Sequence, residues 1–194
     1  MPAPTGRQLD RRAFEGPGDE LARPHGNCYW LLPGRLLAGE FPGAADAALQ
    51  RQRLDALLGA GVRQVLNLTE ASEPLPDYRA ALQQAAAALD VQVEVQREPI
   101  VDYGLPDIAT MRRILRAVDT ALLSNRPLYL HCHGGIGRTG TAVGCLLVQH
   151  GYSGDEALDL IARKWQVMAK RDRAPESPET DAQRNFIRHW AALR

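Results

Sequence analysis

Few cysteines, no excess charge of either sign and no long apolar run: these absences remove several protein classes before any motif is read. Cysteine occurs three times in 194 residues, as Cys28, Cys132 and Cys145. That is too sparse for a disulfide framework in a chain of this length, and the lack of CxxC spacing excludes a thioredoxin-like redox pair and a zinc ribbon. His25, His150 and His189 are scattered without metal-ligand spacing, so no metal is expected. Lys plus Arg balances Asp plus Glu at 23 each. No global field therefore draws the chain to nucleic acid or to an anionic membrane, and any anion recognition has to be local. The apolar runs fall short of the roughly 20 residues that a spanning helix needs. Residues 1–20 contain no apolar stretch of the kind a secretory signal requires. The setting expected is reducing and cytoplasmic, where a nucleophilic thiol survives.

Hydrophobic residues at 45% and charged residues at 24% suit a globular chain with one sizeable core. The composition changes near residue 24. Residues 1–24, rich in Pro, Gly and Arg, read as a flexible tail, and residues 25–194 as a single domain. Within the domain, Tyr29–Leu32 and Arg35–Ala38 flank Pro33-Gly34 as a hairpin-like start. The apolar spacing predicts helices over Ala44–Ala60, Asp77–Leu89, Ile108–Leu122, Gly137–His150, Asp155–Met168 and Pro178–Leu193. Strands are expected over Val62–Leu68, Val91–Val95 and Pro127–Cys132. Ser177 followed by Pro178 reads as an N-cap with proline at the first helical position. Strands alternating with helices indicate an α/β fold with a mainly parallel sheet. Cys28, Cys145, Trp30, Trp165 and Trp190 read as packing residues.

The chemistry concentrates in His131-Cys132-His133-Gly134-Gly135-Ile136-Gly137-Arg138-Thr139-Gly140. A strand ends at a cysteine, a glycine-rich turn follows, and an arginine opens a helix. Such a turn lets successive backbone N–H groups face inward as an anion nest, and the helix N-terminus adds its positive end. A guanidinium fork at Arg138 can grip two oxygens of a tetrahedral anion. The same positive field favours a thiolate at Cys132 over a thiol. A thiolate so placed could attack phosphorus and form a phosphocysteine that water hydrolyses.

Cys132-x5-Arg138-Thr139, preceded by His131 and set between strand and helix, resembles the phosphate-binding loop of protein tyrosine and dual-specificity phosphatases. The resemblance extends from about Tyr29 to Trp190 and implies a tyrosine-phosphatase-like α/β fold, a mainly parallel central sheet flanked by helices. It implies that His133, Gly134, Gly135, Ile136, Gly137 and Arg138 bind the phosphate and that no cofactor takes part. His131 would position the thiolate by hydrogen bonding, and Thr139 would help the sulfur leave in the second step. Pro99-Ile100-Val101-Asp102, Gly104, Pro106-Asp107-Ile108-Ala109 and the Gly-Gly-x-Gly-Arg form of the loop are similar to the kinase-associated dual-specificity phosphatases that act on cyclin-dependent kinases.

An ester's leaving oxygen must be protonated, which calls for a carboxylic acid facing the loop. Asp102, thirty residues before Cys132, resembles the family's general-acid position. Asp107 is the rival, although an acid at the start of a helix is already explained by the dipole. Glu70 and Glu73 resemble a loop that rims the active site in small bacterial relatives; as plain residues they read as solvated. Gln183 stands where several relatives orient the hydrolytic water, and reads equally as a helix-surface glutamine. Phosphoinositide phosphatases of this superfamily tend to carry lysines at the loop's variable positions, here His133 and Ile136. The expected substrate is therefore a phosphotyrosine, phosphoserine or phosphothreonine of a protein, with a phosphoinositide or small phosphorylated metabolite as the alternative.

Three other functions compete. Gly135-Ile136-Gly137-Arg138-Thr139-Gly140 also matches GxGxxG, but the second strand ending in an acid, needed for a dinucleotide site, is missing. A rhodanese-type sulfurtransferase also uses a cysteine in an anion loop, but Arg138 with Thr139 favours phosphate. A non-catalytic phosphate-binding module would not need the full set of reactive residues.

Overall fold

Three four-residue strands at the centre of the sheet are covered on both faces, which is why their residues do not alternate between apolar and exposed polar. In the computed structural model, which describes residues 9–194, these are β2 (Leu36–Gly39), β3 (Gln64–Asn67) and β5 (Leu128–His131). With β1 (Cys28–Leu32) and β4 (Glu94–Arg97) they form one sheet in the order β1-β2-β5-β3-β4. β1 and β2 are an antiparallel hairpin, and every other pairing is parallel. The mainly parallel sheet expected from the sequence is present.

Successive residues along a strand face opposite sides, and the core divides accordingly. Leu36, Ala38, Leu66, Leu128 and Leu130 join one apolar cluster, with α3 (Ile108–Leu123), α4 (Gly137–Gln149), α5 (Gly154–Trp165) and α6 (Asp181–Leu193). Leu37, Val65 and Tyr129 join the other, with α1 (Ala47–Gly59) and α2 (Arg79–Ala88). Helix α4 is buried on all sides from Gly137 to Val148 because α3, α5 and α6 surround it. Among the described residues no helix is long and apolar enough to cross a membrane.

Several boundaries differ from the sequence reading. The tail expected over residues 1–24 is, from Asp10 onward, fastened to the domain; its residues 1–8 lie outside the described residues. Phe14 is fully buried against His150 and Tyr152. The Arg11 guanidinium lies 4.0 Å above the Tyr152 ring. Buried Lys164 donates to the Gly16 and Trp30 carbonyls, at 2.7 and 3.0 Å. One large aromatic in a polar segment supplies the anchor, and average composition conceals it. Strand β4 begins at Glu94 rather than Val91, because the Val91 N–H still returns to the Ala86 carbonyl at the end of α2. Helix α6 begins at Asp181, not Pro178. Thr180 and Gln183 cap each other there, while the Ser177 hydroxyl donates to the Ile136 carbonyl and is not a cap.

Helices α4 and α6 meet closely at Gly144, where an added Cβ would fall 2.3 Å from Ile187 Cδ1 and 2.7 Å from Cγ1. Gly144→Val is expected to force α6 away and lower stability by about 1–3 kcal/mol, measured by urea unfolding. An unchanged midpoint would show that the α4–α6 contact is looser than this.

Candidate active site

Parallel strands converge on the site from one end of the sheet. His131, the last residue of β5, lies in register with Gly39 on one side and Asn67 on the other. The chain beyond it therefore emerges at the carboxyl edge of the sheet, where open α/β folds bind ligands. Cys132 follows directly, and five residues later Gly137 opens α4. Gly135 makes the turn possible for two reasons. Its φ is +70°, and a Cβ there would lie 2.4 Å from the Gly39 carbonyl carbon and 2.7 Å from the Glu40 nitrogen. The Gly135 N–H donates to Cys132 Sγ at 3.2 Å. Among the loop carbonyls, His133 accepts from the Phe41 N–H and Ile136 from the Ser177 hydroxyl, both at 2.8 Å.

Cys132 is 2% exposed. Burial pushes the Cys28 thiol up to about 11 and the Cys145 thiol higher still, as expected of packing residues. His131 is fully buried, with Nδ1 2.9 Å from the Cys132 carbonyl oxygen and Nε2 2.7 Å from the Tyr78 hydroxyl. A carbonyl oxygen can only accept, so Nδ1 carries the proton and Nε2 accepts from Tyr78. Burial first, then the charges of Arg97 and Arg138, bring its pKa down to about 4 against the opposing Cys132 carbonyl. The ring is thus neutral at neutral pH and holds the main chain of Cys132. The hydrogen bond expected from His131 goes to the carbonyl instead of the sulfur.

Arg138 is gripped on its outer edge. Nη1 donates to Glu73 Oε1 at 2.5 Å and to the Ile100 carbonyl at 3.1 Å; Nη2 reaches Glu73 Oε2 at 3.1 Å and Asp102 Oδ1 at 2.9 Å. The side chain is 1% exposed. Its Nε, and the hydroxyl of buried Thr139, have no protein partner among the described residues. Glu73 is not a solvated loop residue. Burial works against its ionisation, but hydrogen bonds from Arg138 and the Glu70 N–H hold its carboxyl below the ordinary range. Glu70 contributes through that N–H.

Asp102 stands half-exposed on the loop after β4, accepting from the Tyr103 N–H and pairing with Arg138. Asp107 instead caps α3: its carboxylate accepts from the Thr110 N–H at 2.6 Å, which holds its pKa down. Gln183 is fully buried rather than on the helix surface. It lies against Gly137, where a Cβ would come 2.8 Å from Nε2, while its amide also bonds the Thr180 N–H and the Gly104 carbonyl. His133 is exposed and Ile136 half-buried.

Glu73, placed by resemblance on a rim loop but read as a plain solvated residue, turns inward to Arg138; topology pointed the same way, because it lies beyond the carboxyl end of β3, the strand beside the one that carries Cys132. Glu179 was given no role in the sequence reading. Glu179 touches Gly137, where a Cβ would lie 2.3 Å from Oε1, and its pKa is raised by burial and by the charge of Asp102. Its readable signal was Thr180-x-x-Gln183, a capping-box pattern that marks the true start of α6.

Glu73→Gln leaves Arg138 anchored by Ile100 and Asp102 alone. At neutral pH it is expected to cost about 1–3 kcal/mol, less than a fully unpaired buried charge. A carboxyl with a depressed folded pKa stabilises above its unfolded pKa and loses that contribution as pH falls through the folded value. The gap between wild type and variant in urea unfolding should therefore close below the ordinary glutamate range. A gap that persists in acid would contradict the ion pair.

Comparisons with known proteins agree with this geometry. Over 93 residues the chain is 42% identical to cyclin-dependent kinase inhibitor 3 of Sus scrofa, a match covering 47% of this chain and 41% of that protein. The chain thus spans less than half the length of that curated relative. The crystal structure of kinase associated phosphatase superposes with a TM-score of 0.65 at 23% identity, covering 81% of this chain and 85% of the other. The structure of PTPMT1 in complex with PI(5)P superposes with a TM-score of 0.60 at 21% identity, covering 82% and 91%. At these identities the two structures establish the fold. The family model described as "Swiss Army Knife protein, DSP-PTPase phosphatase domain" matches residues 25–187, and the chain belongs to that phosphatase family.

Proposed function

We propose that this protein hydrolyses phosphomonoesters of protein side chains through a phosphocysteine formed on Cys132. The observation that carries this reading is three groups gathered beyond the carboxyl end of β5. Cys132 Sγ faces the Gly135 N–H, Arg138 is the second residue of the helix that closes the loop, and Asp102 sits 2.9 Å from the guanidinium. In the first step Sγ attacks phosphorus and the ester P–O bond breaks, while Asp102 gives its proton to the leaving oxygen. In the second step water attacks phosphorus, the P–S bond breaks and Asp102 takes the water's proton. The Thr139 hydroxyl is free to donate to the departing sulfur, and Gln183 and Glu179 stand at Gly137 where the water would be oriented. The N–H groups and Arg138 hold the equatorial oxygens throughout.

Protein substrates are favoured by the surroundings of Asp102. Val101 and Tyr103, on either side of it, are 60% and 66% exposed, an apolar rim suited to the side chains flanking a phosphorylated residue. The loop itself offers no lysine for further phosphates. One feature favours the second reading, a phosphoinositide or small phosphorylated metabolite. Arg97 and Arg79 line a cavity of about 210 Å³ beside Glu73 and Tyr78. Arg79 pairs there with Asp77, so Arg97 is the cation better placed to meet a second phosphate. Profiling wild type across phosphopeptides, phosphoinositides and small phosphoesters separates the two. The thiols of Cys28, Cys132 and Cys145 are all unbridged, in keeping with a cytoplasmic setting.

Cys132→Ser should abolish turnover yet still bind tungstate in calorimetry, whereas Arg138→Lys should lose both because a point charge cannot replace the fork. Asp102→Ala should slow esters with poor leaving groups by about 10²–10⁴-fold and good leaving groups much less. An equal loss for both would remove Asp102 from the acid role.

A further inference from the structure

Lys170 is 9% exposed, a rare state for an ammonium group, and it meets the loop on the side of the Gly134–Gly135 peptide opposite to Cys132 Sγ. Its Nζ donates to Glu40 Oε2 at 2.6 Å and to the Gly134 carbonyl at 2.8 Å. Glu40 is held in turn by Asn27, whose Nδ2 donates to Oε1 at 3.2 Å, and Asn27 Oδ1 accepts from the Lys170 N–H at 3.1 Å. Burial opposes ionisation of Glu40, but Lys170 outweighs it and keeps the carboxyl below its ordinary range. An ion pair removed from water in this way gains its standing from geometry and added hydrogen bonds.

The carbonyl of Gly134 and the N–H of Gly135 belong to the same peptide group. That group is planar and trans, so the two point in opposite directions. With the carbonyl drawn outward to Lys170, the N–H has to point inward, and it is found 3.2 Å from Cys132 Sγ. A peptide between two glycines meets little steric resistance to rotation. Rotated, it would set a carbonyl oxygen beside a thiolate and an incoming oxyanion, where like partial charges repel. We infer that Lys170 is a positioning residue for the nucleophile. It locks the Gly134–Gly135 peptide so that an N–H, and not a carbonyl, faces the sulfur, and Glu40 and Asn27 hold it in place. The inference rests on the reading of Cys132 as the nucleophile.

Full-length Lys170→Met, Lys170→Arg and Glu40→Gln proteins test it, with Cys132→Ser as the alkylation blank. Turnover is followed with para-nitrophenyl phosphate, the rate of Cys132 alkylation by iodoacetamide by mass spectrometry near neutral pH, and folding by thermal melts. Lys170→Met should cut turnover by about 100-fold, the scale of losing one preorganised donor, and slow alkylation by roughly tenfold. Lys170→Arg should restore much of both, since a guanidinium can also bridge the carboxylate and the carbonyl. A Lys170→Met protein that melts earlier yet alkylates at the wild-type rate would overturn the inference and leave Lys170 as an anchor of the turn. Should Lys170→Met fail to fold, Glu40→Gln decides by the same two rates. Wild type without turnover of any phosphoester would instead overturn the proposed function, while the alkylation comparison would still judge the role of Lys170.

Discussion

Backbone N–H groups can converge on one point only if the carbonyls of the same peptides find partners on the outside. The loop from Cys132 to Arg138 depends on that condition. Its carbonyls at His133, Gly134 and Ile136 are taken by Phe41, Lys170 and Ser177, from three places far apart in sequence. Strand β5 delivers the loop to the carboxyl edge of the sheet, and α4 receives it with a helix N-terminus. The surrounding scaffold, including the turns after β2 and α5 and the segment before α6, is placed where it can hold those carbonyls. The shape of the loop is thus a property of the whole domain rather than of the loop's own residues.

Charge in the site is arranged around the guanidinium of Arg138. Glu73 binds it edge-on and stays ionised, which fixes the plane of the fork. Asp102 binds it too, but from a half-exposed position. Two carboxylates on one arginine therefore sit in different settings: Glu73 holds both ends of the fork, and Asp102 touches one nitrogen from the open side. Burial separates them, since Glu73 is nearly enclosed and Asp102 opens to solvent beside Val101 and Tyr103.

Much of the site could be read from the chain because its central part is local. Cys132, the glycines and Arg138 lie within seven residues, and the steric demand on Gly135 together with the helix start ties each to a geometry. The sequence left Asp102 and Asp107 as rivals; in the structure Asp102 pairs with Arg138, while Asp107 spends its carboxylate capping α3. The contacts that Glu73, Glu179 and Lys170 make are not written in their neighbours, since each meets a group at least thirty residues away. The start of α6 was misplaced because Ser177-Pro178 imitates a cap, while the hydroxyl of Ser177 is used by Ile136 across the fold.

The sequence by itself determined the fold class, the order of strands and helices, and the loop that sets Cys132 and Arg138 between a strand end and a helix start. These follow from apolar periodicity and from short-range stereochemistry. Tertiary structure alone decided that His131 serves the main chain of Cys132, that Gln183 is buried against the loop, that Phe14 fastens the early segment, and that Glu73 aims Arg138. Each of these is a pairing between distant segments. Such pairings follow from how the sheet orders its strands, and no spacing along the chain encodes that.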